Sequence, residues 1–270
     1  MTRMRISPAR LAALSSQLSQ RDLDVVASLA RLRLARTGQL QRLHFDQGSP
    51  LTQARRCRHA LERLVQLGVL ARLDRRIGGV RAGSAGFVYA LGPVGQRLNG
   101  GHGPAGGQRV RRPWTPSLPF VAHRLAVTEL FVALVERQRA GQCDVLRFDA
   151  EPAAWRRFTG PAGSVVTLKP DAYVVTALGE YEYHRFVEVD RATEGAATIA
   201  AKLRVYRQYW ASGREQHEHG VFPGTLFVVP DGHRARAISG EIASQPAETR
   251  FLFDVVVWTE AVTRLAGGES

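Results

Sequence analysis

Three carboxylates, Asp171, Glu188 and Asp190, stand where two strands would bring them together. Lys169-Pro170-Asp171-Ala172 opens one β-prone run, Ala177-Leu178-Gly179-Glu180 makes a turn, and the returning run ends Phe186-Val187-Glu188-Val189-Asp190. Side chains alternate along a strand, so Glu188 and Asp190 point the same way and a hairpin sets Asp171 beside them. Carboxylates gathered so closely repel one another unless a cation lies between them. Oxygen ligands of this kind suit Mg²⁺ or Mn²⁺, which also hold phosphate oxygens and activate water, so the chemistry on offer is metal-assisted phosphodiester hydrolysis. The plainer reading has Asp171 capping a turn, with Glu188 and Asp190 exposed at a strand end and paired with Arg185 or Arg191.

A second set of residues could bind rather than cut. Arg55, Arg56, Arg58 and, one turn on, Arg63 lie on one helical run, and Arg75, Arg76 and Arg81 lie in the Gly-rich stretch 75–84. Arginine pairs with phosphates and bonds bidentately to guanine edges. The formal net charge is +13, and its distribution is uneven. Residues 1–112 hold 20 Arg, no Lys and five acids, a net of +15, whereas residues 113–270 hold 17 basic and 19 acidic groups, a net of −2. A basic segment joined to a near-neutral one reads as a polyanion-binding module fused to something else, and the commonest cytoplasmic polyanion is nucleic acid. A solvated basic face or a lipid-surface patch is the blander reading.

Elements that could position these groups are legible. Ser19 is placed to cap a helix over 20–36, a short helix covers 37–45, and a longer one covers 49–67 with Gly68 at its end. Two β-prone runs follow, 69–74 and 86–91. Three helices and a two-stranded hairpin are the order of a winged helix, whose third helix enters the major groove. Residues 1–98 are therefore read as a DNA-binding domain, residues 99–119, rich in Gly and Pro, as a linker, and residues 120–270 as a second domain. In the second domain a helix over 123–137 precedes strands at 145–148, 165–168, 172–176 and 183–189, a helix at 196–210, a strand at 225–229, a helix at 232–243 and a strand at 251–258. The expected fold class is α/β within an α+β whole, with helices on a mixed sheet.

Composition sets outer limits. The chain has 270 residues, 44% apolar and 23% charged, as in an ordinary globular protein. No run of about 20 uninterrupted apolar residues is present, and the first residues lack a secretory pattern, so a cytoplasmic protein without membrane association is expected. Two cysteines, Cys57 and Cys143, are too few for a disulfide scaffold. Neither a phosphate-cradling G-x-x-x-x-G-K-[ST] loop nor a G-x-S-x-G elbow occurs, which excludes the commonest ATPase and serine-hydrolase designs. His217-Glu218-His219 reads as a solvated loop rather than a metal site.

The spacing of Pro170-Asp171 and Glu188-x-Asp190 resembles the motif of the PD-(D/E)XK nuclease superfamily. That resemblance implies Asp171 and Glu188 as ligands of Mg²⁺ or Mn²⁺, Asp190 as a third acid standing where the motif's Lys belongs, and Lys202 on the following helix as the substitute cation. An acid on the domain's first helix commonly completes such sites, here Glu129, or else Glu151 after the next strand. The chain has 35 Arg but only two Lys, Lys169 and Lys202, and both fall in this segment. Over its whole length, R-R-x-R-H-A-L from Arg55, H-R-L-A-V-T-E-L from His123, K-P-D-A, F-V-E-V-D-R-A-T-E from Phe186 and K-L-x-x-Y from Lys202 are similar to the replication-relaxation family. The resemblance implies a protein of actinobacterial plasmids, integrative elements or phages acting in replication or DNA relaxation. Its expected partners are double-stranded DNA, replication or mobilisation proteins, and a second copy of itself. Two functions follow: a DNA-binding protein whose second domain nicks or cleaves DNA, or a non-catalytic replication or transcription regulator whose second domain serves dimerisation or partner binding.

Overall fold

The computed structural model describes residues 7–73, 86–100 and 117–268. Two compact units divide the chain, residues 1–132 and 133–270, and the division falls inside a helix rather than within residues 99–119.

In the first unit, α1 (Pro8–Ser15), α2 (Gln20–Leu32), β1 (Ala35–Arg36), α3 (Thr37–His44) and α4 (Pro50–Gln66) precede β2 (Leu70–Arg72), β3 (Val88–Leu91), α5 (Pro93–Gly100) and α6 (Leu118–Arg139), which runs on past the division. Ser19 caps α2 in a reciprocal box with Asp22, and Ser49 caps α4 ahead of Pro50 in its first turn. The helix expected over 20–36 stops at Leu32, because Arg33 takes a φ of 70° and the chain turns into β1. That short strand pairs with β3, setting Ala35 opposite Tyr89, and completes an antiparallel sheet of order β1-β3-β2. Arg75, Arg76 and Arg81 lie outside the described residues. The core joins Val25 and Leu29 of α2, Leu40 of α3, and Leu61 and Leu64 of α4 to Val69 and Val94. Cys57 belongs to it, and burial pushes its thiol up to about 12, so it is an inert filler.

Gly95 on α5 shows how closely this core is packed. A Cβ there would stand 2.2 Å from the Val69 carbonyl oxygen. Helix propensity alone favours Ala over Gly by about 1 kcal/mol, but forcing atoms into a filled core costs about 1–3 kcal/mol or more. Gly95→Ala is therefore expected to lower the denaturant midpoint, and an unchanged or raised midpoint would contradict this packing.

By length and composition α6 could cross a membrane, although half of its most apolar stretch is buried within the protein. Interruptions the sequence places in it are held internally. Arg124, wholly buried, donates to the Leu32 carbonyl at 3.3 Å, and Thr128 donates to that of Leu34 at 2.7 Å.

In the second unit, β4 (Asp144–Ala150), β5 (Arg156–Thr159), β6 (Val165–Leu168), β7 (Ala172–Leu178) and β8 (Tyr181–Val189) lead to α7 (Ala196–Ala211) and α8 (Arg214–His219). After them come β9 (Gly224–Val229), α9 (Gly232–Ala243), β10 (Phe253–Val257) and α10 (Trp258–Leu265). The main sheet has the order β10-β9-β8-β7-β4, parallel on the β8-β9-β10 side and antiparallel on the other, and β5-β6 form a separate ribbon. The chain is thus mixed α and β with a mixed sheet. Parallel neighbours need crossovers, and α7 and α9 supply them. Ile199, Leu203 and Tyr206 of α7 and Ile238 of α9 pack with Phe186, Phe227 and Val229 of the sheet in one core. The strand expected over 251–258 is shorter, since residues before Phe253 form a 3₁₀ turn and Trp258 already opens α10.

Candidate functional site

The β7-β8 hairpin turns at Gly179, whose φ of 62° suits glycine, and its register sets Ala172 opposite Val187. One step beyond, Asp171 lies across from Glu188. The Asp171 N–H donates to the Val187 carbonyl at 3.0 Å, and the Val189 N–H donates to Asp171 Oδ2 at 2.8 Å. On the other side, the Glu151 N–H donates to the Asp171 carbonyl at 3.0 Å. Asp171 is therefore fixed between the end of β8 and the turn that follows β4.

Glu188 is buried, and both its oxygens accept from α7. Lys202 Nζ donates to Oε2 at 2.9 Å, and the Tyr206 hydroxyl donates to Oε1 at 2.7 Å. Lys202 and Tyr206 are four residues apart, so one helix face carries both. Nζ of Lys202 also lies 2.9 Å from Glu194 Oε2, which sets it between two carboxylates. Burial, joined by the negative charge of Asp171, pushes the Glu188 carboxyl up to about 7 against the pull of Lys202 and Tyr206. Burial would lower the Lys202 ammonium, but the adjoining Glu188 and Glu194 carboxylates hold it above its ordinary value.

A carboxyl whose folded pKa is raised contributes stability that is complete below its unfolded value, near 4.5, and lost as pH rises through about 7. In EDTA, the protein is expected to lose on the order of 3 kcal/mol of this contribution between about pH 5 and pH 8. Glu188→Gln should flatten that part of the curve, and denaturant titrations at several pH values would detect a variant that keeps the parent's slope.

Asp190 corrects the three-carboxylate expectation. It points, like Glu188, toward the helix-covered side, but α9 claims it. Arg234 Nε donates to Oδ1 at 2.7 Å and Nη2 donates to Oδ2 at 2.6 Å, while the Ala192 N–H also donates to Oδ1 at 2.6 Å. Burial would raise this carboxyl, yet these bonds hold it below its ordinary range. Among the described residues, no group of three or more His, Cys, Asp or Glu side chains is arranged to hold a metal ion. What the geometry assembles is a pair of carboxylates, Asp171 and Glu188, with the Lys202 ammonium against one of them.

Two further expected site residues have other commitments. Glu129 accepts from Gln39 Nε2 at 2.9 Å and from Arg42 Nη1, so it ties α6 to α3 within the first unit. Arg63 donates through Nη2 to Asp22 Oδ2 at 2.5 Å and joins α4 to α2. Arg55, Arg56 and Arg58 are exposed along α4, with Leu51 exposed at its first turn. Sequence reasoning overlooked Tyr206, Glu194 and Arg234 as neighbours of the carboxylates. The K-L-x-x-Y spacing held the signal for Tyr206, but nothing in the sequence singles out Arg234.

Comparison with known proteins adds one match. The sequence model described as replication-relaxation matches residues 26–225, well over half of the chain, and covers both α4 and the carboxylate pair. No curated protein and no solved structure matches.

Proposed function

This chain belongs to the replication-relaxation family, and from that premise we propose that it binds the DNA of a plasmid or other mobile element and cuts phosphodiester bonds in its second unit with Mg²⁺ or Mn²⁺. One observation carries the reading: Asp171 and Glu188 are neighbours on adjacent strands, with Lys202 Nζ 2.9 Å from Glu188. An Asp, a Glu and a Lys are the working set of the PD-(D/E)XK pattern, and here α7 supplies the Lys in place of residue 190.

The residues fit a divalent cation. Mg²⁺ commonly takes one or two protein carboxylates and leaves its other positions to water and substrate phosphates, and positive charge here would relieve the repulsion between Asp171 and Glu188. Asp171 and Glu188 would hold such an ion, which would supply Lewis-acid polarisation and a more acidic bound water. The chain's own groups do the positioning. Tyr206 fixes one oxygen of Glu188, Lys202 offers a compact cation to the phosphate, and the Asp190–Arg234 pair anchors the turn that carries Glu194. The first unit, read as a winged helix, would dock on duplex DNA through Arg55, Arg56 and Arg58.

Supercoiled plasmid carrying the protein's own element tests the reading. Open-circle product is expected with Mg²⁺ or Mn²⁺, none in EDTA, and none from Asp171→Ala. Plasmid left intact under every condition would overturn it.

The same hydrogen bonds favour a second reading. Both Glu188 oxygens and one of Asp171 already have protein donors, as a scaffold for a non-catalytic regulator would require. The readings part on thermal melts: cutting requires that Mg²⁺ or Mn²⁺ raise the Tm of the parent but not of Asp171→Ala, and a scaffold is indifferent to both ions.

A further inference from the structure

The β5-β6 ribbon carries an aromatic and basic face that the proposed cutting site does not use. Its register pairs Arg156 with Leu168, Arg157 with Thr167, Phe158 with Val166 and Thr159 with Val165. Phe158 and Leu168 point into the core, so the alternate row, Trp155, Arg157 and Thr159 opposite Lys169, Thr167 and Val165, turns outward. At the end nearest Asp171, Trp155 and Lys169 meet one step beyond the terminal pair, Arg156 and Leu168. Lys169 Nζ lies 5.1 Å from the centroid of the Trp155 ring, and the indole is 38% exposed.

Both residues are tied to Asp171 by the backbone. Lys169 precedes it by two positions. Trp155 closes the turn from Glu151, whose N–H bonds the Asp171 carbonyl at 3.0 Å, and the Trp155 N–H donates back to the Pro152 carbonyl at 3.1 Å. A large exposed aromatic and one of the chain's two lysines are thus held on the backbone segments that flank Asp171.

We propose that Trp155 and Lys169 form a platform for an unpaired nucleotide of single-stranded DNA entering the Asp171–Glu188 site. This rests on the reading that the second unit acts on DNA. Every base presents a π face, and stacking on an aromatic side chain is strong and tolerant of sequence. Bases inside a duplex have their faces covered, so the ring selects a strand that has been opened. An exposed cation–π pair is weak, which lets the ammonium exchange the ring for a phosphate when a base arrives. Arg157, exposed on the same face, continues the charge along the backbone of the strand.

The test uses the full chain carrying Arg55→Ala, Arg56→Ala and Arg58→Ala, which weakens binding by the first unit, in EDTA, which withholds the divalent ion that cutting needs. A fluorescent oligothymidylate of about ten nucleotides is titrated by anisotropy. This background should bind, Trp155→Ala should weaken binding about tenfold, and Trp155→Phe should keep most of it. Lys169→Gln should lower the slope of log affinity against log salt by about 0.7. Circular dichroism of each variant should match the parent, since both side chains are exposed. Equal binding by Trp155→Ala, or no binding by the background, overturns the platform. The expected pattern in a protein that leaves plasmid intact would uphold the platform while removing the cutting activity.

Discussion

Replacing Arg234 by Ala is expected to lower the unfolding midpoint by roughly 10 °C or more at neutral pH. The two side chains are 15% and 2% exposed, and the guanidinium meets both oxygens of Asp190 in a fork. Removing one partner of such a pair leaves a buried charge uncompensated, at a cost of about 3–5 kcal/mol. For a protein of this size each kcal/mol moves Tm by about 2–4 °C. The loss should depend on pH with a definite sign. Asp190 is held below its ordinary value, so its contribution is present above about 3.8 and disappears as pH falls through the folded pKa. Melts of parent and variant should therefore converge in acid. Asp190→Asn in the Arg234→Ala background should recover part of the loss at pH 7, because the orphaned charge is gone. A Tm for Arg234→Ala within about 2 °C of the parent would show that the pair adds nothing net, as for exposed ion pairs. Arg234 also donates to the Glu194 carbonyl at 2.7 Å, and Ala192 in the same turn holds a φ of 59°. The variant should accordingly loosen the turn that brings Glu194 to Lys202.

That pair also marks the limit of what the sequence discloses. Local signals were sufficient for some elements: β6 and α9 occupy the residues expected for them, 165–168 and 232–243, and Ser19 caps α2 as its position suggested. The hairpin that sets Asp171 across from Glu188 was equally legible, because its turn and both strands are contiguous. Lys202 was indicated by the resemblance to the PD-(D/E)XK motif, and α7, the helix that follows β8, brings its Nζ to Glu188. Arg234 could not, since it reaches Asp190 only after β9 and the crossovers have been built, and a single sequence carries no mark of that pairing. The same holds for Glu129, whose helix continues past a division that composition had located in residues 99–119. Arg63 looked like its neighbours on α4, yet Asp22, 41 positions earlier, takes it out of their set. β5 and α8 escaped notice because short, Arg- and His-rich stretches lack an apolar period, although Phe158 and the wholly buried Glu215 anchor them to the core.

Changing Arg55, Arg56 and Arg58 together to Ala is expected to weaken binding to duplex DNA about 100-fold at low salt. All three are exposed on α4, and among the described residues no ion pair joins any of them to an acid; Arg58 Nε reaches only the Ala54 carbonyl of its own helix. Their charges are therefore available to phosphates. Each phosphate contact releases counterions and adds about 0.9 to the steepness with which log affinity falls against log salt, so the triple variant should be flatter by up to about three. A loss of affinity with an unchanged slope would mean that the arginines hold the fold rather than the DNA. Arg63→Ala provides the internal contrast. Its guanidinium is held by Asp22, a residue that also closes the cap of α2, so removing it should lower the melting temperature and leave the salt slope within about 0.5 of the parent. If Arg63→Ala instead flattens the slope as each of the other arginines does, the Asp22 bond yields to DNA and the binding face of α4 extends a full turn further toward its C-terminus.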